Sequence, residues 1–169
     1  MTPKFDDLMD EYAALLSRVA ASYEASLSLR QELYQEICIA VWQGVQRYKG
    51  DASIKTYILR IAHNRAITHV IKEAKTLKTH AQDSVEQSII DESSAENNHD
   101  QMLIQNQQLS TLLIAIRALK LPARQVITLF MEGLTYQEIS EVTGLNVSNV
   151  GVLITRTKQS LRRQLSHDE

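Results

Sequence analysis

YQEISEVTGLNVSNVGVLITRTK, residues 136–158, is the stretch on which the reading of the chain turns. Thr135 before it and Glu138 within it have the Thr-x-x-Glu spacing of a capping box, which opens a helix at Tyr136. Gly144 closes that helix, and Asn146 is placed to cap a second one running from about Val147 to Leu165. Ile139, the small Ser140, Gly144, Leu145 and Val150 stand where two short helices can cross at a tight turn. That is the pattern of a helix-turn-helix, whose second helix projects its N-terminal half into a major groove. An ordinary packed helical hairpin fits the same spacing, and the middle of the second helix, Gly151-Val152-Leu153, carries no basic or polar side chain.

The flanks favour the nucleic-acid reading. LPARQVITLFMEGLTYQEIS (121–140) supplies a supporting helix with Pro122 in its first turn, Val126, Ile127 and Phe130 inward, and Gly133 at its end. RTKQSLRR (156–163) sets Arg156, Lys158, Arg162 and Arg163 on the far end of the second helix, suited to phosphate. The same bases at a helix C-terminus also complement the macrodipole.

Further out, apolar residues recur at three and four positions. Phe5, Leu8, Met9, Tyr12, Leu15, Leu16, Val19 and Tyr23 make one helical face. Leu33, Ile37, Ala40, Val41, Val45 and Tyr48 make a second, over about 29–48. After the breaker KGDAS (49–53), a third helix over about 54–75 buries Ile54, Tyr57, Ile58, Ile61 and Val70. Leu109, Leu112, Leu113, Ile116 and Leu119 form a stripe on the next helix. Residues 80–101 are polar and acidic, with Val85, Ile89 and Ile90 as the few apolar points, and read as a solvated tether. The expected fold is therefore all-α, with two small helical domains at 1–78 and 103–169 joined by an acidic flexible linker at 79–102.

Composition narrows the function. With 44% hydrophobic residues the chain can bury a core, and two Phe and one Trp argue against a large β-sandwich. One cysteine, Cys38, excludes a disulfide framework within one chain and a multi-cysteine zinc site; among Ile37, Ile39 and Val41 it reads as an inert buried thiol. MTPKFDDLMDEY is acidic where a secretion signal is basic, and no apolar run approaches the roughly 18 residues of a membrane span, so a cytoplasmic protein without membrane insertion is expected. The net charge of −2 hides a pattern. Residues 47–78 are strongly basic, 83–100 wholly acidic among their charges, and the C-terminal segment basic again, as for two contact surfaces on a polyanion. No carboxylate pair, nucleophile constellation, glycine-rich phosphate loop or metal-spaced His/Cys cluster is present, so neither enzyme activity, a cofactor nor a metal is expected.

Two stretches in order carry a resemblance. ELYQE followed by Trp42, then YKGDAS and YILRIAHNRAI, resemble the second conserved region of bacterial RNA polymerase sigma factors of the extracytoplasmic-function type. LPARQVITLFMEGLTYQEISEVTGLNVSNVGVLITRTKQSLRRQL resembles the fourth. The resemblance implies a sigma factor that docks on core RNA polymerase, directs it to promoters and helps open the duplex, often restrained by an anti-sigma factor. It places Glu32, Gln35, Glu36, Ile39 and Trp42 on the polymerase, although Trp42 also suits a core position. It sets Lys49, Gly50, Asp51, Ala52 and Ser53 in a loop that receives a base flipped from the minus-ten element. The same loop also suits an ordinary helix cap.

On the third helix, Thr56, Arg60, His63 and Asn64 share a polar face at i, i+4, i+7 and i+8, with Tyr57 beside it able to stack or to join the core. His63 there reads as a solvated or phosphate-facing imidazole. At the minus-thirty-five element the resemblance implies contacts from Tyr136, Ser148, Asn149, Gly151, Val152, Thr155 and Arg156. The family commonly reads Val-Gly-Thr-Val-Lys-Ser-Arg where this chain has Val147-Ser148-Asn149-Val150-Gly151-Val152-Leu153, so both basic positions are lost and weaker, more shape-dependent recognition is expected. Two other readings stay open: a stand-alone helix-turn-helix regulator, and a sigma-like module that binds polymerase without melting DNA.

Overall fold

Helical periodicity with few breakers gives helices throughout. The computed structural model describes residues 4–80 and 100–167, and every regular element among them is an α-helix. The order is α1 (Phe5–Tyr23), α2 (Leu27–Val45), α3 (Ile54–His80), α4 (Asp100–Arg117), α5 (Leu121–Met131), α6 (Tyr136–Thr143) and α7 (Val147–His167). The expected all-α fold is met. The third helix continues past the expected residue 75 to His80, since TLKTH contains no breaker. Most of the acidic segment expected to be a tether, including Val85, Ile89 and Ile90, lies outside the described residues.

The first three helices pack on one another through Leu16, Leu33, Ile37, Val41, Ile58 and Leu59, all at most 1% exposed. Truncating any of these leucines to alanine would cost about 2–5 kcal/mol. Helix α2 approaches α3 closely at Gly44, where an added Cβ would stand 2.4 Å from Ile61 Cδ1. The Tyr57 hydroxyl donates to the Gly44 carbonyl at 2.9 Å across the same contact. Helices α4 to α7 form the C-terminal unit, with Val126, Leu129, Ile139, Val150 and Ile154 inward. Leu109, expected on the inward stripe of α4, is 55% exposed; Ile116 carries the burial there.

The two halves are packed together. Helix α1 lies against α4 and α5, and α3 lies against α5 and α6, so one apolar cluster runs from Leu8 through Ala66 to Ile154. Polar contacts cross the seam. Arg18 forks the Glu132 carboxylate, Nε at 2.7 Å and Nη2 at 2.9 Å. Lys55 Nζ donates to the Glu132 main-chain oxygen at 2.6 Å, and Arg117 Nε to the Ala21 oxygen at 2.8 Å. The Arg124 guanidinium stands 5.5 Å over the Tyr23 ring and also donates to the Arg117 and Leu119 carbonyls at the end of α4. Burial pushes both Arg117 and Arg124 below the ordinary guanidinium range.

Candidate nucleic-acid and polymerase interfaces

With Leu33, Ile37 and Val41 turned into the core, the opposite stripe of α2 must face outward. Glu32, Gln35, Glu36, Ile39 and Trp42 are all exposed there, Ile39 at 54% and Trp42 at 49%. Trp42 is therefore not a core residue. A large indole and an isoleucine left in water beside two carboxylates form a mixed apolar and acidic face, the kind that buries against a partner. Cys38 lies half-buried on the flank of this helix, and burial pushes its thiol up, away from thiolate reactivity.

The loop after α2 is shaped by its own residues. Gly50 takes φ 84°, a left-handed conformation that glycine adopts without strain. The Tyr48 hydroxyl donates to the Ala52 oxygen at 2.6 Å, and the Tyr48 and Tyr57 rings stand 5.1 Å apart. Ser53 caps α3, its Oγ accepting from the Thr56 N–H at 3.1 Å and donating to the Thr56 hydroxyl at 2.8 Å. The helix-cap role is thus present in the loop, and the Ser53 hydroxyl is already engaged. Lys49, Gly50, Asp51 and Ser53 remain exposed. Arg47, Tyr48, Lys49, Asp51, Ala52, Tyr57 and Arg60 line a cavity of about 290 Å³, with Glu141 of α6 on its other wall. A cavity with two aromatic rings and several cations has room and chemistry for a base and its phosphate.

The polar face expected along α3 is only partly open. Asn64 is exposed and Arg60 half-buried, but Thr56 is 1% and His63 0% exposed. The solvated or phosphate-facing reading of His63 is corrected: its ring is closed in by Tyr23 of α1 with α5 beside it, and Thr56 lies against Glu138 of α6, contacts that helical periodicity within α3 cannot show. Tyr57, tied to Gly44, holds its ring at the base of the loop. Arg60 Nε is buried with no hydrogen-bond partner among the described residues.

In the C-terminal unit the expected caps are formed. The Thr135 N–H donates to Glu138 Oε2 at 2.8 Å and Thr135 Oγ1 accepts from the Glu138 N–H at 3.2 Å, completing the capping box. The Thr135 backbone N–H holds the Glu138 carboxyl below the usual carboxylate range, with Thr56 and Lys55 of α3 beside it. Gly144 takes φ 76° at the turn, and the Ser140 hydroxyl donates to the Leu145 oxygen at 2.6 Å across it. Asn146 Oδ1 accepts from the Asn149 N–H at 2.8 Å, opening α7.

Val150, Ile154 and Thr157 point inward, so Ser148, Asn149, Val152, Thr155 and Arg156 are presented together on the exposed face of α7. Leu153 packs on the core. At Gly151 the Tyr136 ring edge is 3.4 Å from where a Cβ would sit; the glycine seats the first helix's tyrosine against the second. Thr155 bonds back to the Gly151 oxygen at 3.0 Å. Lys158, grouped by sequence with the phosphate-facing bases, instead lies 4.2 Å over the Phe130 ring.

Arg18, Glu132 and Glu141 gave no signal in the sequence, because charges near helix ends and turns look solvated until the partner surface is known. Among the described residues no group of three or more His, Cys, Asp or Glu could hold a metal, and no helix is long and apolar enough to cross a membrane.

Two family models match the chain in the order its geometry requires: Sigma-70 region 2 over residues 8–76 and Sigma-70, region 4 over residues 111–161. The chain belongs to the sigma factors, of the extracytoplasmic-function type. It is similar to the ECF RNA polymerase sigma-E factor of Escherichia coli (strain K12), 24% identical over 153 residues that cover 88% of this chain and 78% of that one. It is also similar to the RNA polymerase sigma-H factor of Bacillus subtilis (strain 168), 24% identical over 177 residues covering 95% and 81%. Its fold is similar to the sigma factor RpoE from Bartonella quintana, solved in complex with the anti-sigma factor NepR. There the TM-score is 0.74 at 16% identity, over 98% of both chains. A second similar fold is CnrH in complex with the cytosolic domain of CnrY, with TM-score 0.67 at 19% identity, over 98% and 89%. As a sigma factor the protein binds core RNA polymerase and directs promoter-specific transcription initiation.

Proposed function

We propose a division of this work among named surfaces. The exposed stripe Glu32, Gln35, Glu36, Ile39 and Trp42 docks on core polymerase, the apolar pair supplying buried area and the acids meeting a basic partner. The Lys49–Ser53 loop and its cavity receive an unstacked base of the minus-ten element, and Arg60 and Asn64 hold the adjoining strand. Ser148, Asn149, Val152, Thr155 and Arg156 of α7, flanked by Tyr136 and Gly151, enter the major groove at the minus-thirty-five element. Duplex opening follows from trapping that base. Catalysis stays with the polymerase, and an anti-sigma factor is a further partner, as the two similar solved folds named above were captured in complexes, one with a named anti-sigma factor.

The single observation that carries this reading is Trp42 and Ile39 standing in water on a helix whose other side is fully packed. Run-off transcription of genomic fragments by core polymerase, with and without the protein, tests it. Transcripts that appear only with the protein support it, and their start sites reveal both promoter elements. A stable complex with core that yields transcript only from a template already melted at the minus-ten element would remove the opening step.

A further inference from the structure

We propose that the cavity between α1, α3, α4 and α5 is a binding site for a small neutral aromatic alcohol, a single ring whose hydroxyl bonds His63 Nε2. The cavity measures about 200 Å³, and Val19, Ala21, Leu112, Leu113 and Ile116 make its walls apolar. A dry apolar cavity of about 150 Å³ already takes up benzene, so this one has room for one substituted ring and not for a larger skeleton. Leu109 and Met131, each more than half exposed, mark its open side and give a ring a way in. Because the walls come from both halves of the chain, an occupant binds best where α1 and α4 are in contact and so tightens that contact.

The polar chemistry is concentrated on one ring. His63 lines the cavity and is closed off from solvent. Its Nδ1 is taken by the Tyr23 hydroxyl at 2.7 Å, while Nε2, on the far side of the imidazole, is buried with no partner among the described residues. A buried nitrogen left in that state calls for a partner. The Ser22 hydroxyl donates to the Arg18 carbonyl at 2.9 Å and the Thr128 hydroxyl to the Arg124 carbonyl at 2.8 Å. Little besides Nε2 is then left to hold a water, which needs about two to four polar partners. Whether Nε2 carries the proton depends on which way the bond to Tyr23 runs, and a hydroxyl serves both cases, donating to a bare nitrogen or accepting from a protonated one. Charge is unwelcome here. Burial keeps the imidazole neutral, and Arg18 at the rim already forks Glu132, so a carboxylate would enter apolar surroundings unpaired.

The test titrates the full chain with phenol, benzene and benzoate at neutral pH, followed by calorimetry. Phenol should bind once per chain and about tenfold tighter than benzene, the factor that one hydrogen bond supplies, and benzoate should not bind. Ala21→Phe, which fills the cavity from α1, should abolish binding of phenol and benzene alike. His63→Leu should bring phenol down to the level of benzene. In the unsubstituted chain the Nε2 resonance of His63 should move with phenol and stay with benzene, a readout that does not depend on the folding of any variant. Equal affinities for phenol and benzene, or an Nε2 resonance that phenol does not move, overturn the pairing of hydroxyl with imidazole. Benzoate binding as tightly as phenol overturns the neutral class of ligand. Saturable binding of neither ring, or binding that survives Ala21→Phe, overturns the site.

Discussion

The Tyr23 hydroxyl lies 2.7 Å from Nδ1 of His63, and the imidazole is wholly buried at the seam between α1, α3 and the C-terminal unit. The rings meet edge to face at 5.4 Å, with Arg124 over the other partner. Burial pushes the imidazole down to about 3, so His63 is neutral in the folded protein near neutral pH. In the unfolded chain it titrates near its ordinary value of about 6.5. Below that pH the unfolded state takes up a proton that the folded state refuses, so His63 makes stability fall as pH drops from about 6.5 toward about 3. The slope contributed approaches about 1.4 kcal/mol per pH unit. Urea unfolding followed from about pH 7 to about pH 5 should show this extra slope in the native protein and not in His63→Leu. Parallel slopes would mean that the seam opens enough in acid to hydrate the ring.

Gly44 and Ile61 make a second sharp contact. A Cβ on residue 44 would fall 2.4 Å from Ile61 Cδ1, although alanine is otherwise favoured over glycine in a helix, by less than the interior value of about 1 kcal/mol in the last turn of α2 where residue 44 lies. These effects oppose each other in Gly44→Ala. The clash term is isolated by a double-mutant cycle with Ile61→Val, which deletes Cδ1. Gly44→Ala should cost about 1–2 kcal/mol more in the native background than in Ile61→Val, measured by denaturant unfolding. Additive effects would show that the isoleucine side chain swings clear at little cost.

Much of this was legible in the sequence, for definable reasons. The capping box at Thr135 and Glu138, the turn at Gly144 and the Asn146 cap are local chemistry, readable because partners lie within a few residues. The split of α2 into Leu33, Ile37 and Val41 inside and Glu32, Glu36 and Trp42 outside follows from one helical period, except that Trp42 fitted either side until the fold was known. The polar face of α3 misled for the converse reason. Thr56 and His63 are polar, yet their burial is decided by other helices far away in the chain, Glu138 of α6 beside Thr56 and Tyr23 of α1 with α5 around His63. Glu132, joined to Arg18 across 114 positions of sequence, left no local trace at all.

Trp42 gives a prediction in which binding and stability separate. It is 49% exposed and packs on no core cluster, so Trp42→Ala should leave unfolding free energy within about 0.5 kcal/mol of the native protein. At an interface a tryptophan is commonly an anchor worth about 2 kcal/mol or more, so affinity for core polymerase should fall roughly thirtyfold. Competition for core against unmodified protein measures the second quantity, and thermal melting the first. Equal competition would take the polymerase surface off this face of α2.

The recognition helix supplies the last prediction, because its contacts divide into two kinds. Arg156 is exposed and charged, a phosphate-type contact, so Arg156→Ala should weaken binding to minus-thirty-five duplexes nearly uniformly across sequences and lower the salt slope by about one. Asn149 is exposed, and its backbone N–H is already held by Asn146, which leaves its side-chain amide for a base edge. Asn149→Ala should therefore change the ranking of sequences by about 1–3 kcal/mol at one position. Gly151→Lys places a cation beside the Tyr136 ring, which must shift by a few tenths of an ångström to admit the new Cβ. That variant should raise affinity several-fold on all duplexes and steepen the salt slope by about one, without sharpening preference. Selection from randomised duplexes at two salt concentrations reads all three variants. A steep native preference abolished by Ser148→Ala and Asn149→Ala alone would show that base-edge reading, and not shape, governs this helix despite its missing basic residues.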